Sequence, residues 1–98
     1  MHKFMVTLTF PPYFSQDMIA LIPKQREQIV ELLSDGKIAS FSLNAQRTHA
    51  WLVISARNPD EVQTLLESFP MADFFEYDID ILAVYDTAFM GLPKVVLN

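Results

Sequence analysis

The sequence predicts an α+β domain of order βαββαβ, the ferredoxin-like arrangement, in which a four-stranded antiparallel sheet carries both helices on one face. Two observations predict this fold. Four segments alternate apolar and polar residues with a period of two, and two segments between them show the three-to-four-residue spacing of an amphipathic helix. Right-handed crossovers would place the first and third strands at the centre of the sheet.

Each strand is predicted from its own alternation, and the predicted ranges are 3–10, 37–44, 47–56 and about 74–85. Pro11-Pro12 ends the first strand, and Ala45-Gln46 is the predicted turn between the second and the third. One side of every strand is clearly apolar. We expect that side to meet the helices, because it has no other apolar layer to pack against.

The first helix is predicted to begin at Ser15 and to end at Gly36, a common helix-terminating residue. Pro23 lies inside this segment and leaves two alternatives open. Either a short turn precedes a main helix that starts at Pro23, or one longer helix is kinked there. Proline at a helix start is the less strained alternative.

The second helix is predicted from the capping residues at its beginning and from the proline at its end. Asn58 can accept hydrogen bonds from first-turn amides, Pro59 fits the first helical position, and Glu61 can reach back to the Asn58 N–H. Pro70 stops the helix. We therefore expect the helix to fall between Asn58 and Pro70.

Composition excludes several classes of protein. The 98 residues carry a formal charge of −5 without a basic cluster, so nucleic acid is not an expected partner. A 51% hydrophobic content argues against disorder, and zero cysteines exclude disulfides and thiolate metal sites. No run is long enough for a membrane span or a signal peptide, which predicts a cytoplasmic protein with no membrane partner.

Domain organisation follows from length. Residues 1–86 are predicted to form one domain, and residues 87–98 a tail that packs on a neighbouring subunit; a disordered terminus is the alternative. A domain of this size is marginally stable as a monomer, so we expect a homodimer or a larger homo-oligomer.

The side of the sheet that faces away from the helices is predicted to carry an unusual mixture of groups: Met5, Thr7, Thr9, Ile38, Ser40, Ser42, Asn44, Arg47, His49, Trp51, Val53, Asp78, Asp80 and Leu82. Apolar walls with a few convergent polar groups are typical of a ligand cavity. Pairing two sheets into a dimeric α+β barrel would enclose such a cavity. A solvated face, or a dimer interface without a ligand, is the alternative.

A catalytic interpretation of this face centres on the third strand. Arg47, His49 and Trp51 are two residues apart, so the alternation places their side chains in one row. His49 is the natural group to take and return a proton near neutral pH. Arg47 could stabilise an oxyanion or bind a carboxylate. Both residues could also simply be solvated.

Asp78 and Asp80 share the same face on the last strand. If they were buried, their mutual repulsion would raise one pKa and make a general base. A salt link from an aspartate to Arg47 is the structural alternative. No metal site and no cofactor are predicted, because the chain lacks cysteine, a cluster with metal-ligand spacing and a phosphate-binding glycine loop.

The chain resembles the muconolactone isomerase family in four stretches: Phe4-Met5-Val6-Thr7-Leu8 with Pro11-Pro12, Lys24-Gln25-Arg26-Glu27 running to Leu32 and Gly36, Leu65-Leu66 with Phe69-Pro70, and Tyr77-Asp78-Ile79-Asp80-Ile81. The resemblance implies a ferredoxin-like subunit that assembles into dimers or larger rings. It also implies a cofactor-free proton shift that moves a double bond within a small unsaturated lactone acid from aromatic-compound breakdown.

A few single residues of this chain match positions of the family. Arg26 and Glu27 match a basic and an acidic position on the family's first helix, and Asp78 matches an aspartate on its last strand. The second strand departs from the family, which tends to place bulky aromatic and basic residues where this chain has Ile38, Ala39, Ser40 and Ser42. Such a wall of small hydroxyl residues would admit a different substrate.

The sequence therefore predicts a homo-oligomeric barrel protein that binds a small organic acid or lactone and catalyses a proton shift. His49 or Asp78 would be the base and Arg47 the anion stabiliser, with substrate held by Thr7, Ser40, Ser42, Trp51, Asp80 and Glu27. Two alternatives stay open: a non-catalytic ligand-binding or assembly module on the same scaffold, and a cofactor-independent oxygenase of the same barrel type.

Overall fold

The computed structural model describes residues 1–88, which form a four-stranded antiparallel sheet with two α-helices on one face. The strands are β1 (His2–Thr9), β2 (Ile38–Leu43), β3 (His49–Ala56) and β4 (Glu76–Ile81); the helices are α1 (Gln16–Ser34) and α2 (Pro59–Glu67). The sheet order is β2-β3-β1-β4, with the first and third strands central. This confirms the predicted ferredoxin-like fold.

Most of the C-terminal tail lies outside the described residues, which end at residue 88. The predicted packing of the tail on a neighbouring subunit therefore stays a prediction.

The two central strands pair antiparallel along their whole length, from His2 opposite Ala56 to Thr9 opposite His49. Alternate side chains of both strands are buried towards the helices, as the period of two predicts. They form the core with apolar residues of both helices and of the connection after α2: Phe4, Val6, Leu8, Met18, Ile29, Leu32, Ile38, Ala50, Leu52, Ile54, Ala56, Val62, Leu66, Phe69, Met71 and Phe75.

Helix α1 begins and ends as its sequence predicts. The Ser15 Oγ accepts a hydrogen bond from the Met18 N–H at 3.2 Å. At the other end Gly36 adopts a positive φ of 74°, while its N–H donates to the Leu33 carbonyl and the Lys37 N–H to the Leu32 carbonyl. This pair of hydrogen bonds is the Schellman motif, which favours glycine at that position.

Pro23 lies inside α1, so the alternative with a separate lead-in turn is wrong. Because proline has no N–H, the Ile19 carbonyl loses its ordinary helical donor. Both Ile19 and Pro23 are exposed, so water can reach that side of the helix. The apolar stripe on the opposite side keeps the two halves of the helix packed on the sheet.

An irregularity in β2 corrects the prediction for Ile38. The register with β3 shifts between Ile38 and Ser40, so Ile38 lies opposite Ile54 and is 1% exposed in the core. A bulge of this kind inserts one residue and moves the preceding side chain to the other face. Ser40 and Ser42 keep the predicted side of the sheet.

Two other strands are shorter than predicted. β3 begins at His49 rather than at residue 47, because residues 44–48 form a longer connection than the predicted Ala45-Gln46 turn. β4 covers Glu76–Ile81 rather than 74–85, and a short 3-10 turn, Ala72–Phe74, precedes it.

The start of α2 is fixed by its predicted cap. The Asn58 Oδ1 accepts from the Glu61 N–H at 2.9 Å. Glu61 does not reach back to Asn58; it accepts from the backbone N–H and the guanidinium of Arg57. These two interactions lower the pKa of the Glu61 carboxyl. Their contribution to stability is therefore present at neutral pH and is lost as the pH falls through that lowered pKa.

Replacing the cap tests this account of α2. Asn58→Ala should lower the free energy of unfolding by about 1 kcal/mol, because the first-turn amide loses its acceptor. The measurement is urea denaturation followed by circular dichroism. Asn58→Asp keeps an acceptor and should stay close to wild type; an unchanged midpoint in Asn58→Ala would contradict the assignment.

Candidate functional site

A pocket of the described chain lies on the helix side of the sheet, at the end where β1 leads into α1. Its volume is about 380 Å³, within the range of small-molecule sites. Six apolar side chains form its walls: Phe10, Phe14, Ile22, Phe41, Leu43 and Met71. We call this cavity the helix-side pocket.

Three polar side chains also line the helix-side pocket: Gln25, Arg26 and Arg47. The Arg26 guanidinium lies over the Phe41 ring, with its central carbon 5.7 Å from the ring centroid, a cation–π contact. The Gln25 Oε1 accepts from the Met71 N–H at 3.2 Å. Gln25 thus ties α1 to the connection after α2 and fixes that part of the wall.

Arg47 reaches the pocket from the connection between β2 and β3. The Asn44 carbonyl accepts from the Arg47 N–H at 3.0 Å, and the Asn44 Oδ1 accepts from the Thr48 and His49 N–H groups, both at 2.9 Å. The Asn44 Nδ2 donates to the Thr48 Oγ1 at 2.9 Å. This network fixes the turn and therefore the direction in which Arg47 leaves it.

The charged side chains that line the helix-side pocket are both positive. No carboxylate lines it, although the chain as a whole is acidic. Within residues 1–88, the pair of Arg57 with Glu61 is the only salt bridge, so neither Arg26 nor Arg47 has an anionic partner in the described chain. The pocket therefore presents two guanidinium groups beside apolar walls, which suits an organic anion.

The opposite side of the sheet, which we call the outer face, carries most of the predicted site residues. Strand pairing sets Asp78, Thr7, Trp51 and Ser42 in one row across β4, β1, β3 and β2. The neighbouring row, in the same strand order, is Asp80, Met5, Val53 and Ser40. The predicted mixture of carboxylate, hydroxyl and indole groups is thus present on one surface.

His49 lies at one end of the outer face, opposite Thr9. Its ring stacks on the Trp51 indole with centroids 6.2 Å apart and 14° between the planes. The His49 Nδ1 lies 3.0 Å from the Thr48 Oγ1, so a hydroxyl orients the ring. The imidazole is half-buried, and its contacts with the hydroxyl and the indole restrict the orientation of the ring.

The structure places the predicted site residues at three different locations. The outer face brings together Thr7, Ser40, Ser42, His49, Trp51, Asp78 and Asp80. Arg47 is not in their row but lines the helix-side pocket, and the suggested salt link to an aspartate is not formed in the described chain. Glu27 is exposed on α1, in a shallow groove with Lys24, Gln28 and Glu31.

The helix-side pocket itself was not predicted from the sequence. Phe10 and Phe41 fall within the predicted strands 3–10 and 37–44, and Gln25 falls within a stretch that carries the family resemblance. The sequence feature that could have indicated the pocket is the pair of arginines. The family resemblance points to Arg26, and the strand alternation points to Arg47. A pattern of alternation cannot show that a turn redirects Arg47 to the other side of the sheet.

A family model described as muconolactone delta-isomerase matches residues 2–88. The chain belongs to this family. No protein of curated function matches it. A solved structure of 5-chloro-2-hydroxyhydroquinone dehydrochlorinase (TftG) from Burkholderia phenoliruptrix AC1100, in complex with 2,5-dihydroxybenzoquinone, is similar with a TM-score of 0.58 and 20% sequence identity. The likeness covers 80% of this chain and 90% of that chain and shows a shared fold.

Two further findings describe this muconolactone delta-isomerase family member. Its residues 1–88 contain no group of three or more His, Asp or Glu side chains placed to hold a metal ion. In the same part of the chain, neither helix has both the length and the apolar character that crossing a bilayer requires.

Gln25 offers a test of how the pocket wall is held. Gln25→Ala should lower the free energy of unfolding by about 1–3 kcal/mol, because the N–H of the buried Met71 would lose its partner. Urea denaturation measures the change. Gln63→Ala is the matched control, since it removes an amide on α2 whose bond to Glu67 is exposed. Equal losses in the two variants would contradict a special role for Gln25.

Proposed function

We propose that this family member binds a small organic acid or lactone in the helix-side pocket. The observation that carries the proposal is the convergence of two arginines without anionic partners on one apolar pocket. The family description supports a ligand of this kind, because a muconolactone is a small unsaturated lactone acid. The structural neighbour was solved with a small quinone, which is compatible with ligands of this size on this fold.

The pocket can bind such a molecule through two kinds of contact. The guanidinium of Arg47 can hold a carboxylate by paired hydrogen bonds, while the rings of Phe10 and Phe41 pack against a flat carbon skeleton. Both arginines are exposed in the single chain, so water partly screens these charge contacts and the apolar walls supply the rest of the binding free energy. Arg26 lies over Phe41 and can stabilise negative charge that develops on the ligand.

Binding by the pocket can be measured directly by calorimetry with unsaturated lactone acids and aromatic acids. Arg26→Met should weaken binding of any acid that the wild type binds by about 10-fold or more, because it removes one charge contact. Lys24→Met is the matched control: it removes the same charge from α1, but Lys24 lies in the shallow groove. If both variants lose affinity equally, net charge explains the binding and the pocket does not.

A cofactor-free proton shift is the second part of the proposal. None of the pocket-lining side chains is a carboxylate or an imidazole, so the pocket alone supplies no ordinary base. We propose His49 and Asp78 as the proton-transfer residues, acting on a ligand enclosed over the outer face beside Trp51. The oriented imidazole of His49 supports this assignment. The lack of a base in the pocket favours the alternative, a non-catalytic binding module.

Catalysis is tested separately from binding. His49→Ala and Asp78→Asn should each lower the turnover of any isomerised lactone by about 10²-fold or more if they transfer the proton. Turnover is followed by the change in ultraviolet absorbance as the double bond moves. Full turnover in both variants would refute their assignment. Ligand binding without turnover in the wild type would favour the binding module.

Self-association through the outer face completes the proposal. Trp51 is 40% exposed in the single chain, and Val53 beside it is apolar and central in the sheet. Face-to-face pairing of two outer faces would cover the indole and enclose the hydroxyl and carboxylate groups around it. We therefore propose a homodimer or a larger assembly of the dimeric α+β barrel type.

Light scattering tests this assembly, because the single chain has a mass of 11.2 kDa. We expect a dimer or a larger species, with Trp51 emission shifting to the red on dilution as the indole becomes hydrated. Trp51→Lys should favour the monomer, whereas Ile19→Lys, on the exposed side of α1, should not. A wild-type monomer at all concentrations would exclude the barrel.

A further inference from the structure

Arg47 occupies a backbone conformation that its residue type disfavours. Its φ is 61°, and it is the only non-glycine residue with a positive φ in residues 1–88. Left-handed conformations crowd the Cβ atom against the backbone and are routinely adopted by glycine, and sometimes by asparagine or aspartate. The same chain uses glycine at its other left-handed position, Gly36, where no side chain is needed.

The turn around Arg47 is held by many hydrogen bonds. Asn44 alone accepts from three successive backbone N–H groups, two of them through its side chain, and donates to the Thr48 Oγ1. The Thr48 carbonyl accepts from the Phe10 N–H at 2.8 Å and so links the turn to the end of β1. Residues kept in unfavourable conformations by such over-determined surroundings are concentrated at functional sites.

None of the hydrogen bonds of this turn involves the Arg47 side chain, so glycine would serve the turn itself better. What the side chain supplies is a charge at the helix-side pocket. The chain has three arginines: Arg57 is paired with Glu61, and the other two both line this pocket. The unfavourable backbone conformation and the unpaired charge thus occur at the same residue.

We propose that Arg47 is retained in its left-handed conformation because it binds, together with Arg26, a planar ligand that carries two negative charges. A ring with two carboxylates, or with one carboxylate and one enolate or phenolate, has the required chemistry. This inference rests on the proposed function and names its substrate class. It also assigns Asn44 as the residue that positions Arg47.

The charge balance of the pocket favours a dianion over a monoanion. Two guanidinium groups and no carboxylate from residues 1–88 line the pocket, so a monoanion can pair with only one of the two cations and leaves the other to water. Both arginines are exposed, and a second negative group on the ligand would add a bidentate ion pair at the second guanidinium. A neutral molecule of the same shape would bind through its contacts with the apolar walls alone, and therefore more weakly.

The first experiment separates backbone conformation from side-chain function. Arg47→Gly and Arg47→Ala both remove the guanidinium, but only glycine relieves the left-handed strain. Arg47→Gly should melt about 2–5 °C above Arg47→Ala, and no lower than wild type. Scanning calorimetry of the full chain measures this. A lower melting temperature for the glycine variant would overturn the claim that the backbone is strained.

The second experiment measures ligand charge by isothermal titration with benzamide, benzoate, and the 1,2-, 1,3- and 1,4-benzenedicarboxylates. The wild type should bind at least one dicarboxylate about 10-fold or more tightly than benzoate, and benzamide least. Arg47→Ala should remove that preference. Lys24→Ala, which has the same net charge as Arg47→Ala but an intact pocket, should keep it.

Asn44→Ala tests the positioning role. It should reduce dicarboxylate affinity about as much as Arg47→Ala does, whereas Asn44→Ala combined with Arg47→Ala should be no weaker than Arg47→Ala alone, because both act through the same guanidinium. Additive losses in the double variant would overturn the assignment of Asn44.

The outcomes distinguish this inference from the proposed function. If benzoate binds as tightly as every dicarboxylate, or if Arg47→Ala keeps a dicarboxylate preference, the dianion inference is wrong while acid binding stands. If none of the five probes binds the wild type but an unsaturated lactone acid does, the dianion inference alone is wrong; if the lactone acids fail to bind as well, both proposals are wrong. Loss of the preference in Arg47→Ala, with retention in Lys24→Ala, supports both.

Discussion

The antiparallel pairing of β1 with β3 is the constraint on which the rest of the structure depends. It fixes which residues point to the helices and which point away, along eight paired positions in the centre of the sheet. A shift by one residue would exchange the two sets of side chains and expose Phe4, Val6 and Leu8. The cost of exposing three large apolar side chains, about 1.5–3 kcal/mol each, holds the register.

This one pairing gives the chain two chemically different surfaces. On the helix side lie the core and, at one end of the sheet, the pocket with Arg26 and Arg47. On the outer face lie His49, Trp51 and Asp78. The sheet separates the two pocket arginines from the residues that we propose to transfer a proton. Anion binding and proton transfer can therefore be tested separately in this protein.

Much of the fold follows from local sequence, because strand alternation and helix caps act over a few residues. Ser15, Gly36 and Asn58 do in the structure what their types predict. Two of the errors have one physical origin in common: they occur where a local irregularity breaks a regular period. The bulge near Ile38 moves a side chain to the core, and the positive φ at Arg47 directs a side chain away from the strand pattern.

The candidate site was predictable only in part for the same reason. Residues within regular strands, such as Thr7 and Asp78, lie on the predicted face because two-residue periodicity determines it. The helix-side pocket, in contrast, is assembled from a strand end, a helix, a turn and the connection after α2. Helix α1 contributes three side chains and every other element one or two, so no single stretch of sequence carries the pattern. Only the three-dimensional arrangement shows that two arginines converge.

The position of the pocket has a consequence for assembly. If two copies pair through their outer faces, the partner's sheet covers Trp51 and leaves the helix side of each chain uncovered. The pocket with Arg47 would then stay open to solvent in the assembly, so a ligand could enter and leave without dissociation of the subunits. Trp51, on the other side of the sheet, would report assembly and not occupancy of the pocket. Trp51 fluorescence therefore reports assembly, and calorimetry reports ligand binding in the pocket. A change of Trp51 emission on ligand binding would require coupling of the two sites through the sheet.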